Sequence, residues 1–225
     1  MRRRHLRAIE RGIGPLLTLG LVSFACQVNA QSSDPRPEST AADSLRRFLD
    51  STHTLQANFD QQLLGTDGEV IEFATGRLLI KRPGRFSWNY TMPIEQLVVA
   101  DGTNLWIYDV ELAQATVTPL DDSVAASPAM LLSSEAALDA EFEVLENFDR
   151  DGVRWVRLAP KREGADFQEL LIGFRADNLS QLRLLDTLDQ VTTIELSDVA
   201  INADLADALF EFVPPNGVDV IGEAG

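Results

Sequence analysis

The sequence predicts a mainly β protein built on one strongly curved antiparallel sheet or barrel, and three observations support this fold class. About ten short segments alternate between apolar and polar residues, as half-buried strands do. Asp-Gly pairs, which favour tight hairpin turns, separate several of these segments. Helical patterns are few and short, so the predicted strands have one another as their main packing partners.

The first 30 residues predict a cleaved signal peptide, residues 1–30, rather than part of the fold. Five arginines form a basic head, residues 13–25 form an apolar run too short to span a bilayer, and Val28-Asn29-Ala30 is a small-residue cleavage site. A retained membrane anchor and a lipid-anchored N-terminus at Cys26 are weaker alternatives, the latter because Ser23-Phe24 is a poor lipid-attachment motif. The rest of the chain is expected to be exported and soluble.

A polar, proline-bearing segment follows, and it predicts a disordered lead-in over residues 31–40 before a single domain over residues 41–225. A short helix opens this domain, and Ser39 or Thr40 can cap its N-terminus. The apolar face of the helix is formed by residues at helical spacing: Leu45, Phe48 and Leu49. This face predicts a helix that packs on the sheet.

Strands are predicted for nearly all of the chain that follows. Residues 55–63 alternate between mainly apolar and polar side chains, which indicates a strand with one face in the core. Asp67-Gly68, Asp101-Gly102 and Asp151-Gly152 mark hairpin turns. The other predicted strands span residues 70–80, 86–92, 97–100, 105–108, 113–120, 142–148, 153–159, 167–174, 179–187, 191–199 and 209–213, the last after one helical turn at 204–208.

The segment from Lys81 to Pro93 is the most informative part of the pattern. Pro83 and Gly84 predict a turn between cations, and Pro93 ends the following strand because it has no N–H for a ladder. Aromatic residues occupy alternate positions of this strand: Phe86, Trp88 and Tyr90. One face of the strand is therefore aromatic, which suits either a closed core, favoured by these residues alone, or the wall of a cavity for fatty chains.

The strand pattern is interrupted once, by a short apolar helix. Ser127 before Pro128 is a good N-cap followed by a good first helical residue, and residues 129–132 continue the helix. A further helical turn is predicted around residues 135–138. Met130 in this helix is an adaptable apolar side chain that suits ligands of varied shape.

Composition argues against several classes of function. Removal of residues 1–30 leaves 14 basic and 34 acidic residues, a net charge of −20, which argues against binding to nucleic acid or to an anionic membrane surface. The removed segment also holds the chain's one cysteine, so the remaining chain forms no disulfide and its fold rests on its apolar core. A domain of this length and apolar content can form such a core.

An enzyme is the main alternative class, and the sequence gives it little support. His53 is the one histidine left after cleavage, and no recognisable nucleophile motif lies beside it. Neither a cysteine–histidine site nor a histidine-rich metal site is expected, and no metal or cofactor is predicted. A carboxylate pair for glycoside cleavage stays open, with Asp121-Asp122 and Asp149-Asp151 as candidates, although acids at turns are more often simply solvated.

Three motifs in order give the chain a resemblance to a known family. The motifs are KRPGRFSWNYTMP at residues 81–93, ADGTNLWIYDVELAQATV at 100–117 and SPAMLL at 127–132. With these, roughly residues 43–218 resemble the periplasmic outer-membrane lipoprotein carrier family, the LolA family. The resemblance implies an incomplete antiparallel β-barrel with a lid of short α-helices over an apolar cavity.

The resemblance also implies roles for particular residues. Arg82 falls on the arginine that holds the lid closed by hydrogen bonds to backbone carbonyls of the lid, although it could instead pair with an acidic surface neighbour. The implied lid positions are Leu49, Leu131, Leu132 and Ser133. The acyl-chain cavity is assigned to Phe59, Phe86, Trp88 and Met130. Ala129 departs from the family pattern, because relatives can carry a bulky aromatic residue there, and this implies a roomier mouth or a looser lid.

The function implied by the resemblance is that of a periplasmic chaperone for lipoproteins, not an enzyme. Its expected partners are lipoprotein acyl chains, an inner-membrane lipoprotein-releasing ABC transporter and an outer-membrane lipoprotein acceptor, with no nucleic acid, and the protein is expected to be a monomer. The chain has no nucleotide-binding loop, so any energy must come from the partner that loads it. A lipid-binding sensor or receptor on the same scaffold is the alternative.

Overall fold

A computed structural model describes residues 39–120, 128–134 and 138–225, and most of these residues lie in strands. The helices are α1 (Ala41–Ser51), α2 (Pro128–Ser133) and α3 (Leu138–Glu141). The strands of the first half are β1 (Thr54–Leu64), β2 (Val70–Lys81), β3 (Arg85–Met92), β4 (Gln96–Asp101), β5 (Asn104–Asp109) and β6 (Gln114–Pro119). Those of the second half are β7 (Phe142–Arg150), β8 (Val153–Pro160), β9 (Phe167–Arg175), β10 (Asn178–Asp186), β11 (Val191–Ile201) and β12 (Asp219–Gly222).

The strands of the described residues form one open sheet in the order β12-β6-β5-β4-β3-β2-β1-β11-β10-β9-β8-β7. Neighbouring strands are antiparallel, except that β12 pairs with β6 in parallel. The sheet is curved, and β7 and β12 are its two edges. The predicted fold class, a curved antiparallel sheet with few short helices, is confirmed.

Helix α1 begins where the sequence predicts a cap. Thr40, rather than Ser39, is the N-cap residue: the Asp43 amide donates to Thr40 Oγ1 at 3.1 Å, and the Thr40 amide donates to Asp43 Oδ2 at 3.0 Å. The predicted apolar face is buried and packs against β7, β8 and β9: Leu45, Phe48 and Leu49. Helix α1 therefore covers the part of the inner face that β7, β8 and β9 form.

The predicted hairpins are present, and their turn residues take the backbone conformation that the turns require. Between β7 and β8, Asp151 has φ 54° and Gly152 has φ 73°, the left-handed pair that a two-residue hairpin loop favours. Strand β3 ends at Met92, directly before Pro93. The main core lies between the inner face of the sheet and helices α1 and α2.

A second, smaller core lies on the outer face of the sheet. There a 3-10 turn, Asp207–Phe210, packs against β3 and β4, and Leu79, Leu205 and Phe210 bury one another. Phe212 follows and contacts the rings of Trp106 and Tyr108 at 5.4 and 5.3 Å between centroids. Those two aromatic residues are packing residues of the outer face.

The end of the chain differs from the prediction in two ways. The predicted strand at 209–213 is wrong: its first residues belong to the 3-10 turn, and residues 211–213 pair with no strand of the described sheet. The helical turn predicted at 204–208 lies a few residues later, at Asp207–Phe210. Strand β12 was not predicted, because four exposed residues give almost no pattern.

Candidate functional site

An apolar cavity of about 320 Å³ lies between the inner face of the sheet and helix α2. Strands β1, β3, β4, β5, β10 and β11 supply its walls, and α2 covers one side. The lining residues are Gln61, Phe86, Trp88, Tyr90, Val98, Leu105, Pro128, Ala129, Met130, Leu184, Thr192 and Ile194. The volume lies at the lower end of the range of small-molecule sites.

The aromatic face of β3 forms the most ordered wall of this cavity. Trp88 and Tyr90 are stacked at 6.3 Å between centroids, and Phe59 of β1 meets both rings edge-on, at 5.3 and 5.2 Å. Phe59 is buried behind these rings and does not line the cavity itself. Gly76 makes room for it, because a Cβ there would lie 2.8 Å from the Phe59 ring. Phe59 therefore supports the wall.

The cavity wall carries no charge at neutral pH. Its polar side chains are Gln61, Thr192 and the Tyr90 hydroxyl, which donates a hydrogen bond of 3.3 Å to Gln61 Oε1. Burial raises the pKa of Tyr90 to about 12, so the phenol stays neutral. Trp88 adds a buried Nε1 donor that has no hydrogen-bond partner within the described part of the chain. Such a wall suits hydrocarbon better than a charged or strongly polar ligand.

Helices α1 and α2, which we call the lid, both meet the turn between β2 and β3. Arg82, which lies in that turn, donates from Nη1 to the Leu49 carbonyl of α1. Its Nη2 donates to the Ser134 carbonyl, just after α2, and its Nε donates to the same carbonyl at 3.1 Å. One guanidinium therefore joins the two helices. Its planar fork of donors allows this, because separate N–H groups reach separate carbonyls.

Backbone hydrogen bonds reinforce the same junction. The Gly84 amide donates to the Ser133 carbonyl at 2.8 Å, and the Arg82 amide donates to the His53 carbonyl at 2.8 Å. Ser133 is fully buried, and its hydroxyl donates to the Met130 carbonyl at 3.1 Å. The turn between β2 and β3 is thus bonded to the ends of both lid helices.

Apart from Phe59, which supports the cavity wall from behind, the predicted site residues divide into three groups. Phe86, Trp88 and Met130 line the cavity. Arg82, Leu49 and Ser133 meet at the junction of the turn with the lid, where Arg82 donates to the backbone carbonyls of Leu49 and Ser134. The remaining lid residues are buried beneath α2: Leu131 and Leu132.

The site also contains residues that the sequence did not predict, or to which it gave no definite role. Ser134 accepts two of the Arg82 hydrogen bonds, but a backbone carbonyl leaves no signal in a sequence. Tyr90 lines the cavity, and its alternation with Trp88 was the available signal. Ala129 is buried and lines the cavity, so its small side chain leaves space there.

Those candidates for enzymatic chemistry that the structure describes are not gathered into a site. His53 is exposed at the surface, and Asp149 and Asp151 are exposed at the turn between β7 and β8. Asp121-Asp122, the Ser127 cap, most of the predicted turn at 135–138 and the predicted signal peptide lie outside the described residues. Within the described ranges, no cluster of three or more His, Cys, Asp or Glu could hold a metal ion. No helix among the same residues is long and apolar enough to cross a membrane.

Comparison with known proteins gives consistent matches over most of the chain. The profile of the family described as "Outer membrane lipoprotein carrier protein LolA" matches residues 50–213. The outer-membrane lipoprotein carrier protein of Methylococcus capsulatus is 39% identical over 92% of this chain and 93% of its own length. That of Nitrosospira multiformis is 38% identical over 82% of this chain and 89% of its own length.

Among solved structures, an uncharacterized conserved protein from Thermus thermophilus has a similar fold. It superposes with a TM-score of 0.52 and 14% identity, over 80% of this chain and 98% of that chain. At this level of identity the similarity concerns the fold alone.

Proposed function

Because this chain belongs to the outer membrane lipoprotein carrier family, LolA, we propose that it carries lipoproteins across the periplasm with their acyl chains enclosed in the cavity. The observation that carries the proposal is an uncharged aromatic cavity beneath two lid helices that are both hydrogen-bonded to one arginine. The relatives that are 39% and 38% identical are themselves named outer-membrane lipoprotein carrier proteins.

Acyl chains supply the energy for such binding. Each methylene that leaves water for an apolar site contributes about 0.8 kcal/mol, so even part of one chain gives several kcal/mol. The cavity wall has no charged group that would have to be desolvated. Transport through water is therefore favourable for the chains as long as the lid keeps them covered.

The lid gives the carrier two states. In the closed state Arg82 donates to the carbonyls of Leu49 and Ser134. Hydrogen bonds from a charged donor contribute roughly 1.5–3 kcal/mol each, which is enough to favour an empty closed cavity and small enough to be offset by buried acyl chains. Loading then means that cargo breaks these bonds, and release means that they form again.

Trp88 offers a polar contact for the head of the cargo. Its buried Nε1 has no partner within the described residues, and an unpaired buried donor costs roughly 1–3 kcal/mol. Once the lid opens and uncovers this Nε1, the ester and amide carbonyls of an acylated cysteine are acceptors that would pair with it. Cargo with carbonyl groups would therefore bind better than a bare hydrocarbon of equal length.

The expected partners follow from the task of the carrier. An ABC transporter of the inner membrane would release lipoproteins to this protein, and an acceptor at the outer membrane would take them over. The protein would work as a periplasmic monomer without catalysis of its own. Support for this scheme comes from the family and from the apolar cavity, whose described walls all come from one chain.

Native mass spectrometry of the protein mixed with a triacylated lipoprotein tests the proposal. The wild type is expected to form a one-to-one complex and to pass the lipoprotein to outer-membrane vesicles. Arg82→Leu is expected to bind but to retain its cargo, because the closed state that drives release is lost. Arg77→Leu is the matched control, since Arg77 is exposed on β2 and donates to Gln56 rather than to a lid helix.

Two outcomes would contradict the proposal. If neither the wild type nor the variant forms a complex, the carrier function is wrong. If Arg82→Leu passes cargo on as fast as the wild type, the chain carries lipoproteins without the arginine switch.

A further inference from the structure

A second pocket lies on the outer face of the sheet, away from the lipid cavity. It has a volume of about 170 Å³ and is formed by β7, β8, β9 and β10. Phe148 pairs with Trp155, and Arg183 pairs with Leu171, across these strands. Alternate residues of the same strands, such as Val156 and Ile172, belong to the inner core. The pocket therefore faces away from the lid.

Three arginines converge on this pocket: Arg150, Arg175 and Arg183. Within the described residues, none of the three guanidinium groups lies within ion-pair distance of a carboxylate. Asp151 is the one acid on the wall, and Gln181 there donates to Glu195 at 3.2 Å. Three positive charges thus face one negative charge across the hollow.

The neighbouring arginines on β8 behave differently. Arg154 pairs with Asp177 at 3.0 Å, and Arg157 pairs with Glu146 and, at 3.7 Å, with Glu169. The chain has 35 acidic and 19 basic residues, so acidic partners are abundant. A group of arginines without carboxylate partners on such an acidic protein is unusual, because like charges repel and nearby acids would normally relieve the repulsion.

The floor of the pocket is aromatic and partly preorganised. The Phe148 and Trp155 rings are stacked at 6.4 Å between centroids, and the Arg150 guanidinium lies 5.7 Å from the Phe148 centroid. Gly173 lets the Trp155 ring lie across β9, because a Cβ there would be 2.9 Å from the ring. This packing leaves the hollow open above the rings and holds one guanidinium at its rim.

We propose that this arginine pocket, defined by Arg150, Arg175 and Arg183, binds a phosphate group. Guanidinium groups present parallel N–H donors that match phosphate oxygens, and a bound anion would relieve the repulsion among the three cations. The volume suits one anion of this size rather than a nucleotide. The phosphate group belongs either to free inorganic phosphate or to the headgroup of a phospholipid.

Titration of the protein with inorganic phosphate, followed through the indole N–H signal of Trp155 in NMR spectra, tests the site. Trp155→Phe identifies this signal among those of the three tryptophans. The signal is expected to shift and saturate, with sodium chloride at matched ionic strength giving a much smaller shift. The double variant Arg150→Gln/Arg183→Gln is expected to bind about tenfold more weakly or worse. Arg77→Gln, which removes one charge elsewhere on the sheet, is expected to bind like the wild type.

Cosedimentation with vesicles distinguishes the two sources of phosphate. Vesicles of phosphatidylglycerol that retain the wild type more than the double variant indicate a headgroup site. A phosphate titration that depends on the arginines, without such retention, indicates a free-anion site. Equal titration of the wild type and the double variant, with both folded by their NMR spectra, would overturn the proposal. Neither readout requires lipoprotein transfer, so failure here is separate from failure of the proposed function.

Discussion

A single small side chain sets the space available beneath the lid. Ala129 is buried in α2 and lines the cavity opposite the aromatic wall. Its Cβ occupies little of the space between α2 and that wall, so a larger side chain here would fill part of the cavity. The size of residue 129 therefore limits the size of the cargo that the closed lid can cover.

We expect Ala129→Phe to weaken the binding of long acyl chains by about tenfold, because about two methylenes would lose their place in the cavity. Displacement of a fluorescent fatty-acid probe measures this effect. Ala140→Phe, at an exposed position of α3, is the matched control. Unchanged probe affinity in Ala129→Phe would mean that acyl chains do not reach this side of the cavity.

At the scale of elements, the hairpin of β2 and β3 is held from both sides of the sheet. On the inner side its turn bonds to the lid through Arg82 and Gly84. On the outer side Lys81 and Arg85, which flank the same turn, bond to Asp207 of the 3-10 turn at 2.6 and 2.9 Å. The hairpin thus links the outer core to the lid.

Asp207→Asn is expected to destabilise the protein at neutral pH and to have little effect in acid. Hydrogen bonds from Lys81, and then from Arg85, hold the pKa of the Asp207 carboxyl below its ordinary value. A lowered folded-state pKa contributes stability above the unfolded pKa, near 4, and this contribution is lost as the pH falls through the folded value. Urea denaturation at pH 7 and at about pH 2.5 measures both effects.

Asp204→Asn is the control for this prediction, because Asp204 is exposed on the same segment. Equal stabilities of Asp207→Asn and the wild type at pH 7 would show that solvent screens the two ion pairs. A difference that persisted in acid would assign the effect to packing rather than to charge.

On the scale of the whole molecule, Arg82 connects two helices that cover different halves of the sheet. Helix α1 packs on β7, β8 and β9, whereas α2 packs on β2 and β3. More than 70 residues separate the two helices along the chain, yet one guanidinium forms hydrogen bonds with carbonyls of both segments. The two parts of the lid should therefore loosen together.

Hydrogen exchange measured by mass spectrometry checks this coupling. In Arg82→Leu, we expect faster exchange in peptides of both α1 and α2, because each loses a carbonyl contact to the turn. Arg77→Leu is expected to leave both peptides unchanged. Faster exchange in one helix alone would mean that the lid opens as two independent parts.

Much of this arrangement could be predicted from the sequence, because it depends on local patterns. The Thr40 cap, the Asp-Gly turns and the alternation along β3 each follow from a few neighbouring residues. The resemblance carried by residues 81–132 is confirmed by the family match. Such signals locate the strands and the aromatic wall.

The parts that escaped prediction depend on contacts distant in the chain. Strand β12 forms because β6 offers an unpaired edge, and Phe59 lies behind the wall because Gly76 leaves room for its ring. The Ser134 carbonyl becomes an acceptor only once α2 has folded against the turn. The apolar–polar periodicity of a single segment does not show which distant residues that segment will contact.

The two ends of the open sheet bear on the behaviour of the protein in a crowded compartment. An unpaired strand edge can template another strand and start aggregation. Strand β12 occupies the edge of β6 and is itself four residues long, and β7 carries exposed charges at Glu143, Glu146 and Asp149. Both ends therefore discourage strand addition, so that copies of this molecule can accumulate side by side without polymerising.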